Sequence, residues 1–88
     1  VFDMYYLYIL ESESTGRYYI GQTDNLERRV SEHNDPGYTG SKTTKRFKGP
    51  WKLVYSEEFE TRPEAMSRER KIKSWKSREA IRGLIRSC

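Results

Sequence analysis

The sequence predicts an α+β fold: a small three-stranded antiparallel sheet flanked by helices, in the order β-β-α-β-α-α. Three observations predict it. Two runs rich in tyrosine and β-branched residues, Tyr5 to Glu11 and Arg17 to Thr23, are separated by only five residues, Ser12 to Gly16. That is too short for a parallel crossover, so the two runs pair as an antiparallel hairpin. A third such run spans Trp51 to Phe59. The intervening and following segments carry helix caps and apolar residues at three- and four-residue spacing. Covering an antiparallel sheet with helices is the simplest way to bury both sets.

Each element has its own signal. In the first strand, Tyr6 and Tyr8 fall on one face and Tyr5 on the other, because side chains alternate along a strand. Gly16 supplies the permissive residue of the turn. Asp24, with Glu27 three residues on, has capping-box spacing and starts a helix from Asn25 to His33. Its stripe holds Leu26, Arg29, Val30 and His33. Asn34-Asp35-Pro36-Gly37 ends it. Residues 35–50 read as a long Gly-, Thr- and Lys-rich loop, a length often associated with function. In the third strand, Trp51, Leu53 and Tyr55 alternate with Lys52, Val54 and Ser56. Thr61-Arg62-Pro63-Glu64 repeats the capping signal with proline in the first turn. The helix it opens runs to Lys73, with Ala65, Met66, Glu69 and Ile72 on one face. Ser77 caps a last helix whose stripe is Ala80, Ile81, Leu84 and Ile85. One domain over residues 4–86 is expected, with residues 1–3 a flexible lead.

Composition narrows the function classes. Charged and hydrophobic residues are each 34% of the 88-residue chain, and the longest apolar run, Met4 to Leu10, is far short of the roughly 20 residues a membrane helix needs. No pattern of charged start, apolar stretch and small-residue cleavage site is present. The one cysteine, Cys88, can form no internal disulfide. A cytoplasmic protein with no membrane role is therefore expected. Charge is unevenly spread. Residues 1–61 carry a net −2, residues 62–88 a net +6, and Lys42, Lys45, Arg46, Lys48 and Lys52 cluster in one stretch without an acid. Such a distribution suits a polyanion, most simply nucleic acid, although a merely solvated basic face gives the same pattern.

Two charges break the amphipathic rule. Arg29 lies between Leu26 and Val30 on the first helix's apolar stripe, and Glu69 between Ala65 and Ile72 on the second's. A charge on an apolar face is costly unless paired. Either the two form an internal salt bridge, or their side chains reach out to solvent from the stripe edge, or both face a cleft at the sheet edge. In a cleft, an arginine can grip a phosphate and a glutamate can hold a metal.

The set Tyr6-Leu7-Tyr8, Tyr19-Ile20-Gly21, Leu26-Glu27-Arg28-Arg29 with His33, Trp51-Lys52-Leu53-Val54-Tyr55 and Glu64-Ala65 to Arg68-Glu69 resembles the GIY-YIG nuclease domain. The likeness is greatest to its small stand-alone bacterial members. It implies a divalent-metal-dependent endonuclease hydrolysing phosphodiester bonds in DNA, in repair or processing. It also leaves open a weak or inactive nucleic-acid-binding module of the same fold, or a nuclease that a partner protein must target. The resemblance places Tyr8, Tyr19, Arg29, His33 and Glu69 in the catalytic set, with Glu69 holding Mg²⁺ or Mn²⁺. Tyr8 would take the proton from water, Arg29 would hold non-bridging oxygens, and Tyr19 would orient water or phosphate. His33 falls where some members have a supporting histidine. Gly21 would let neighbouring groups approach closely. Nearby cations are expected to lower the Tyr8 pKa from its ordinary value near 10. Lys42, Lys45, Arg46, Lys48, Arg68 and Lys73 are candidate nucleic-acid contacts. Two departures stand out. Tyr6 replaces the first tripeptide's glycine, and the asparagine many members carry after the glutamate helix is missing, since Asn25 and Asn34 both come earlier.

Overall fold

The structure is a computed structural model, in which residues 4–35 and 49–87 are described. The elements are β1 (Tyr5–Ser12), β2 (Tyr18–Thr23), α1 (Leu26–Asn34), β3 (Trp51–Phe59), α2 (Arg62–Ser74) and α3 (Arg78–Arg86). They form a three-stranded antiparallel sheet flanked by helices, as the sequence predicts, and the strands lie in the spatial order β2-β1-β3.

The central strand, β1, is buried on both faces. Leu7 and Ile9 point to one side, where they pack with Ile20, Ile72 and Ile81 beneath α2 and α3. Tyr8 and Leu10 point to the other, where they pack with Trp51, Tyr19, Leu26 and Val30 beneath α1. The sheet is thus the middle of three layers. Each apolar side chain of this kind, once fully buried, stabilises by about 1.5–3 kcal/mol.

Local chemistry sets the boundaries. The first helix is capped one residue later than the sequence suggests. The Asn25 side chain, rather than Asp24, accepts from the Arg28 N–H at 3.0 Å. Asp24 is left to pair with Arg28 at 2.7 Å and to approach Arg62 at 3.9 Å. Thr61 and Ser77 cap α2 and α3 as expected. Asn34 clamps the end of α1 to the start of β3. Its amide donates to the Trp51 carbonyl at 2.9 Å and accepts from the Trp51 N–H at 2.7 Å.

Strict alternation in β3 fails. Ile9 pairs with Tyr55 but Leu10 pairs with Leu53, so the register shifts by one residue. Val54 and Tyr55 consequently pack against the same cluster, that of Leu7 and Ile9, and Leu53 is exposed. A bulge of this kind places two residues of one strand against one of its partner. Met66 also departs from its expected stripe and is exposed. The position facing inward beside Ala65 and Ile72 goes instead to Arg68, whose guanidinium grips both oxygens of Glu57 at 2.9 and 3.0 Å. Tyr55 donates to the same carboxylate.

Burial alone would raise the Glu57 pKa. The hydrogen bonds from Arg68 and Tyr55, with the guanidinium charge, outweigh it and hold this carboxyl below the usual range. A depressed carboxyl stabilises the fold above its unfolded-state pKa and loses that contribution as pH falls through the folded value. Melting temperature should therefore fall on acidification below about pH 4.5. Glu57→Gln should remove part of that acid sensitivity and cost about 1–3 kcal/mol at neutral pH, the range for losing charge-assisted hydrogen bonds. Thermal melts of both proteins from neutral to acid pH measure the two effects.

Candidate active site

The antiparallel register sets Tyr8 directly opposite Gly21. The two residues share a face with Tyr19. A Cβ on Gly21 would lie 2.6 Å from the Tyr8 Oη, 2.8 Å from its Cζ and 3.0 Å from Tyr19 Cε1. Glycine is needed here for space, since the Tyr8 phenol occupies the volume a side chain would take. Helix α1 crosses the same face and delivers two groups one turn apart. Arg29 Nε donates to Tyr8 Oη at 3.3 Å, and His33 Nε2 lies 2.9 Å from the same oxygen. The Tyr19 ring completes the cluster, 4.6 Å from the His33 ring and 6.1 Å from the Tyr8 ring. Tyr8 is 1% exposed and His33 2%.

Donor and acceptor types constrain the proton. A guanidinium N–H only donates, so the Tyr8 oxygen accepts from Arg29. Tyr8 Oη and His33 Nε2 share one further hydrogen, given by the phenol when the imidazole proton sits on Nδ1 and by Nε2–H in the other tautomer. Arg29 is fixed in turn by Glu32, at 3.1 Å from Nη1. Glu32 was not singled out in the sequence, where only its i,i+3 spacing from Arg29 marks it.

The electrostatic balance corrects one expectation. Burial pushes the Tyr8 phenol well above its ordinary value, and neighbouring Tyr19 adds to the rise. The hydrogen bond and charge of Arg29 oppose it without reversing it. Desolvation disfavours the phenolate more than one partly exposed guanidinium favours it.

The remaining candidates lie elsewhere. Glu69 sits on α2, which packs on β2 and β1 from the Leu7–Ile9 side, whereas the Tyr8 cluster occupies the opposite face. The Arg29–Glu69 salt bridge that the sequence left open is not the arrangement found. Arg29 pairs with Glu32, and Glu69 with Lys73 at 2.6 Å. Among the described residues no group of three or more His, Cys, Asp or Glu side chains could hold a metal. Glu69 is a single, partly exposed carboxylate. That fits Mg²⁺, which commonly takes one or two carboxylates and keeps its waters, provided Lys73 yields. Arg68 is held by Glu57, with its guanidinium 5.8 Å from the Trp75 ring centre. Lys42, Lys45, Arg46 and Lys48 lie outside the described residues.

The family described as the GIY-YIG catalytic domain matches residues 4–82. The chain belongs to the GIY-YIG family. It is similar to UPF0213 proteins, a small stand-alone GIY-YIG group. A UPF0213 protein of Clostridium perfringens is 49% identical over 70 residues, covering 80% of this chain and 71% of the relative. One of Haloquadratum walsbyi is 47% identical over 73 residues, covering 83% and 78%. The solution NMR structure of a UPF0213 protein of Bacillus halodurans superposes with a TM-score of 0.56 at 32% identity, covering 93% of this chain and 82% of that one.

In this GIY-YIG domain the two name tripeptides are Tyr6-Leu7-Tyr8 and Tyr19-Ile20-Gly21, and they meet across the hairpin. Their last residues, Tyr8 and Gly21, face each other. Tyr6 pairs with Thr23 instead, so the glycine it replaces is not the one that makes room for the phenol.

Gly21→Ala removes no polar group, yet the added methyl must displace a phenol that is itself enclosed. A cost of about 1–3 kcal/mol is expected, as for overpacked cores. The Tyr8–His33 hydrogen bond should lengthen with it. Thermal melting and the His33 ring NMR signals report the two effects, and unchanged values for both would show that the pocket has slack.

Proposed function

We propose that this GIY-YIG protein is a divalent-metal-dependent endonuclease that hydrolyses phosphodiester bonds in DNA, in repair or processing, within the cytoplasm. The observation that carries this reading is the buried Tyr8 phenol held between Arg29 Nε and His33 Nε2. Family membership supports nuclease chemistry at the coarser level. Among the described residues no helix is long and apolar enough to cross a membrane.

In the proposed reaction, Arg29 turns its remaining donors to the non-bridging oxygens of the scissile phosphate, and Tyr8 accepts a proton from the attacking water. The proton Tyr8 already carries passes to His33 Nε2, 2.9 Å away. The hydroxide so formed displaces the leaving oxygen, which takes a proton from solvent. Tyr19, whose ring packs at a tilt against His33, helps to hold the imidazole and orients water. Glu69, on the α2 side of the sheet, is the residue that would hold a divalent ion, which would supply charge relief to a phosphate backbone that reaches from the Arg29 face around β2. Burial pushes the Tyr8 phenol up, so the cationic charge of Arg29 and of a bound divalent ion has to favour the phenolate against the negative charge of the incoming phosphate.

A second reading, a nucleic-acid-binding module without catalysis, draws on the Lys73 ammonium that already neutralises Glu69 at 2.6 Å. Plasmid and branched-DNA cleavage assays with Mg²⁺, Mn²⁺ or EDTA separate the two. Tyr8→Phe should lower cleavage by about two or more orders of magnitude. It should also destabilise by about 1–3 kcal/mol, because the buried His33 nitrogen loses its partner. Glu69→Gln should abolish metal-dependent cleavage and barely change the melting temperature, since its pair with Lys73 is an i,i+4 surface contact worth about 0.3–0.5 kcal/mol. DNA binding without cleavage in every metal condition would leave the module reading.

A further inference from the structure

Outside the Tyr8 cluster, one built feature combines a cavity, cations and backbone strain. A cleft of about 370 Å³ opens between the tip of the β1–β2 hairpin and the α2–α3 turn. Arg17, Tyr18, Lys73, Lys76, Arg78 and Ile81 are among its lining residues. Four of these are cations. Lys73 is paired with Glu69.

Arg78 is held by side-chain contacts, and Lys76 is positioned by its backbone. Arg78 donates to the Gly16 carbonyl at 2.8 Å, with its guanidinium 5.7 Å from the Tyr18 ring centre. Gly16 has φ +74, and a Cβ there would lie 2.6 Å from Arg78 Nη2. The hairpin turn therefore needs glycine for its backbone, and a side chain there would displace the Arg78 guanidinium. Lys76 follows the last turn of α2 with φ 48, the left-handed position after a helix that glycine fills by default. A lysine there is strained by about 1–2 kcal/mol, and residues held in strained backbone cluster at functional positions. The fold gains no recorded contact from the Lys76 ammonium, while its charge stands among three other cations.

The geometry points to this cleft as a second binding surface for the DNA backbone, on the face of the sheet away from Tyr8, with Lys76 and Arg78 contacting phosphates. This rests on the nucleic-acid reading above and extends it. Lys73 lines the cleft and is bonded to Glu69, so a strand seated there runs beside the carboxylate that the Tyr8 face does not contain. Bound DNA then spans both faces around the edge strand β2, and phosphates in the cleft compete with Glu69 for Lys73, freeing the carboxylate for a metal.

The test compares wild type with Lys76→Gly/Arg78→Gln and with a control that removes two exposed cations away from the cleft, Arg70→Gln/Lys71→Gln. Binding of a fluorescent DNA duplex is measured by anisotropy across a salt series, alongside cleavage and melting. The cleft variant should bind about ten-fold more weakly at low salt, and its log–log salt slope should fall by about 1.8, the loss of two phosphate contacts. The control should change clearly less. Lys76→Gly alone should raise the melting temperature while weakening binding, which separates strain from misfolding. Equal losses in cleft and control variants, or unchanged binding in the cleft variant, overturns the inference while leaving the nuclease reading intact. DNA binding that depends on the cleft, with no cleavage in any metal, removes the nuclease reading and leaves the cleft standing. A wild type that binds no DNA ends both.

Discussion

Everything in this small domain depends on burying β1 from both sides. A strand enclosed on both faces cannot alternate apolar with polar; it must present bulk to each layer. Leu7 and Ile9 satisfy the α2–α3 layer and Leu10 satisfies the α1 layer. Tyr8 puts a polar atom into that enclosed volume. The hydroxyl is tolerable there only because it is hydrogen-bonded, and an unpaired buried hydroxyl would cost about 1–3 kcal/mol. Its partners have to come from the covering helix, and α1 supplies both from positions one turn apart. The chemistry is thus a by-product of packing, since the residue that fills the core on that side is also the residue that needs Arg29 and His33.

The same enclosure explains why much of the fold was legible and why part of the site was not. Strand order in the chain, helix order and most caps follow from local patterns at Tyr5–Glu11, Thr61 and Ser77. Arg29 and Glu69 stood out because each interrupts an apolar stripe. What local pattern does not encode is cross-strand register. The shift at Ile9/Leu10 sends Leu53 outward and brings Val54 in, and no residue in β3 announces it. Likewise the opposition of Tyr8 and Gly21 follows from pairing, not from either residue's neighbours. Asn34 reads in sequence as a helix stop, yet it works as a clamp on Trp51, 17 positions on. The sign of the Tyr8 shift also lay beyond sequence, because it is a balance between burial and one guanidinium, and burial is a property of the assembled layers.

The division of candidate residues between two faces of the sheet follows an electrostatic logic. In the reaction proposed above Tyr8 sheds a proton, and each negative charge nearby makes that harder. At an effective dielectric of about 20, two unit charges 8 Å apart interact by roughly 2 kcal/mol, more than one pKa unit. An uncompensated carboxylate on the α1 face would thus push an already raised phenol further from use. The carboxylate nearest in sequence to Arg29 on that face, Glu32, is neutralised at 3.1 Å by Arg29 itself. Glu69 is placed on α2, behind the sheet, and carries Lys73 as its counter-ion. Each of these two carboxylates is therefore paired with a cation. A substrate that reaches both faces around β2 brings its own phosphates to this arrangement, and these must be balanced by cations delivered with it or already waiting along its path. The excess of positive charge in residues 62–88 lies on the helices behind the sheet, where it can neutralise the polyanion without placing further charge inside the Tyr8 enclosure.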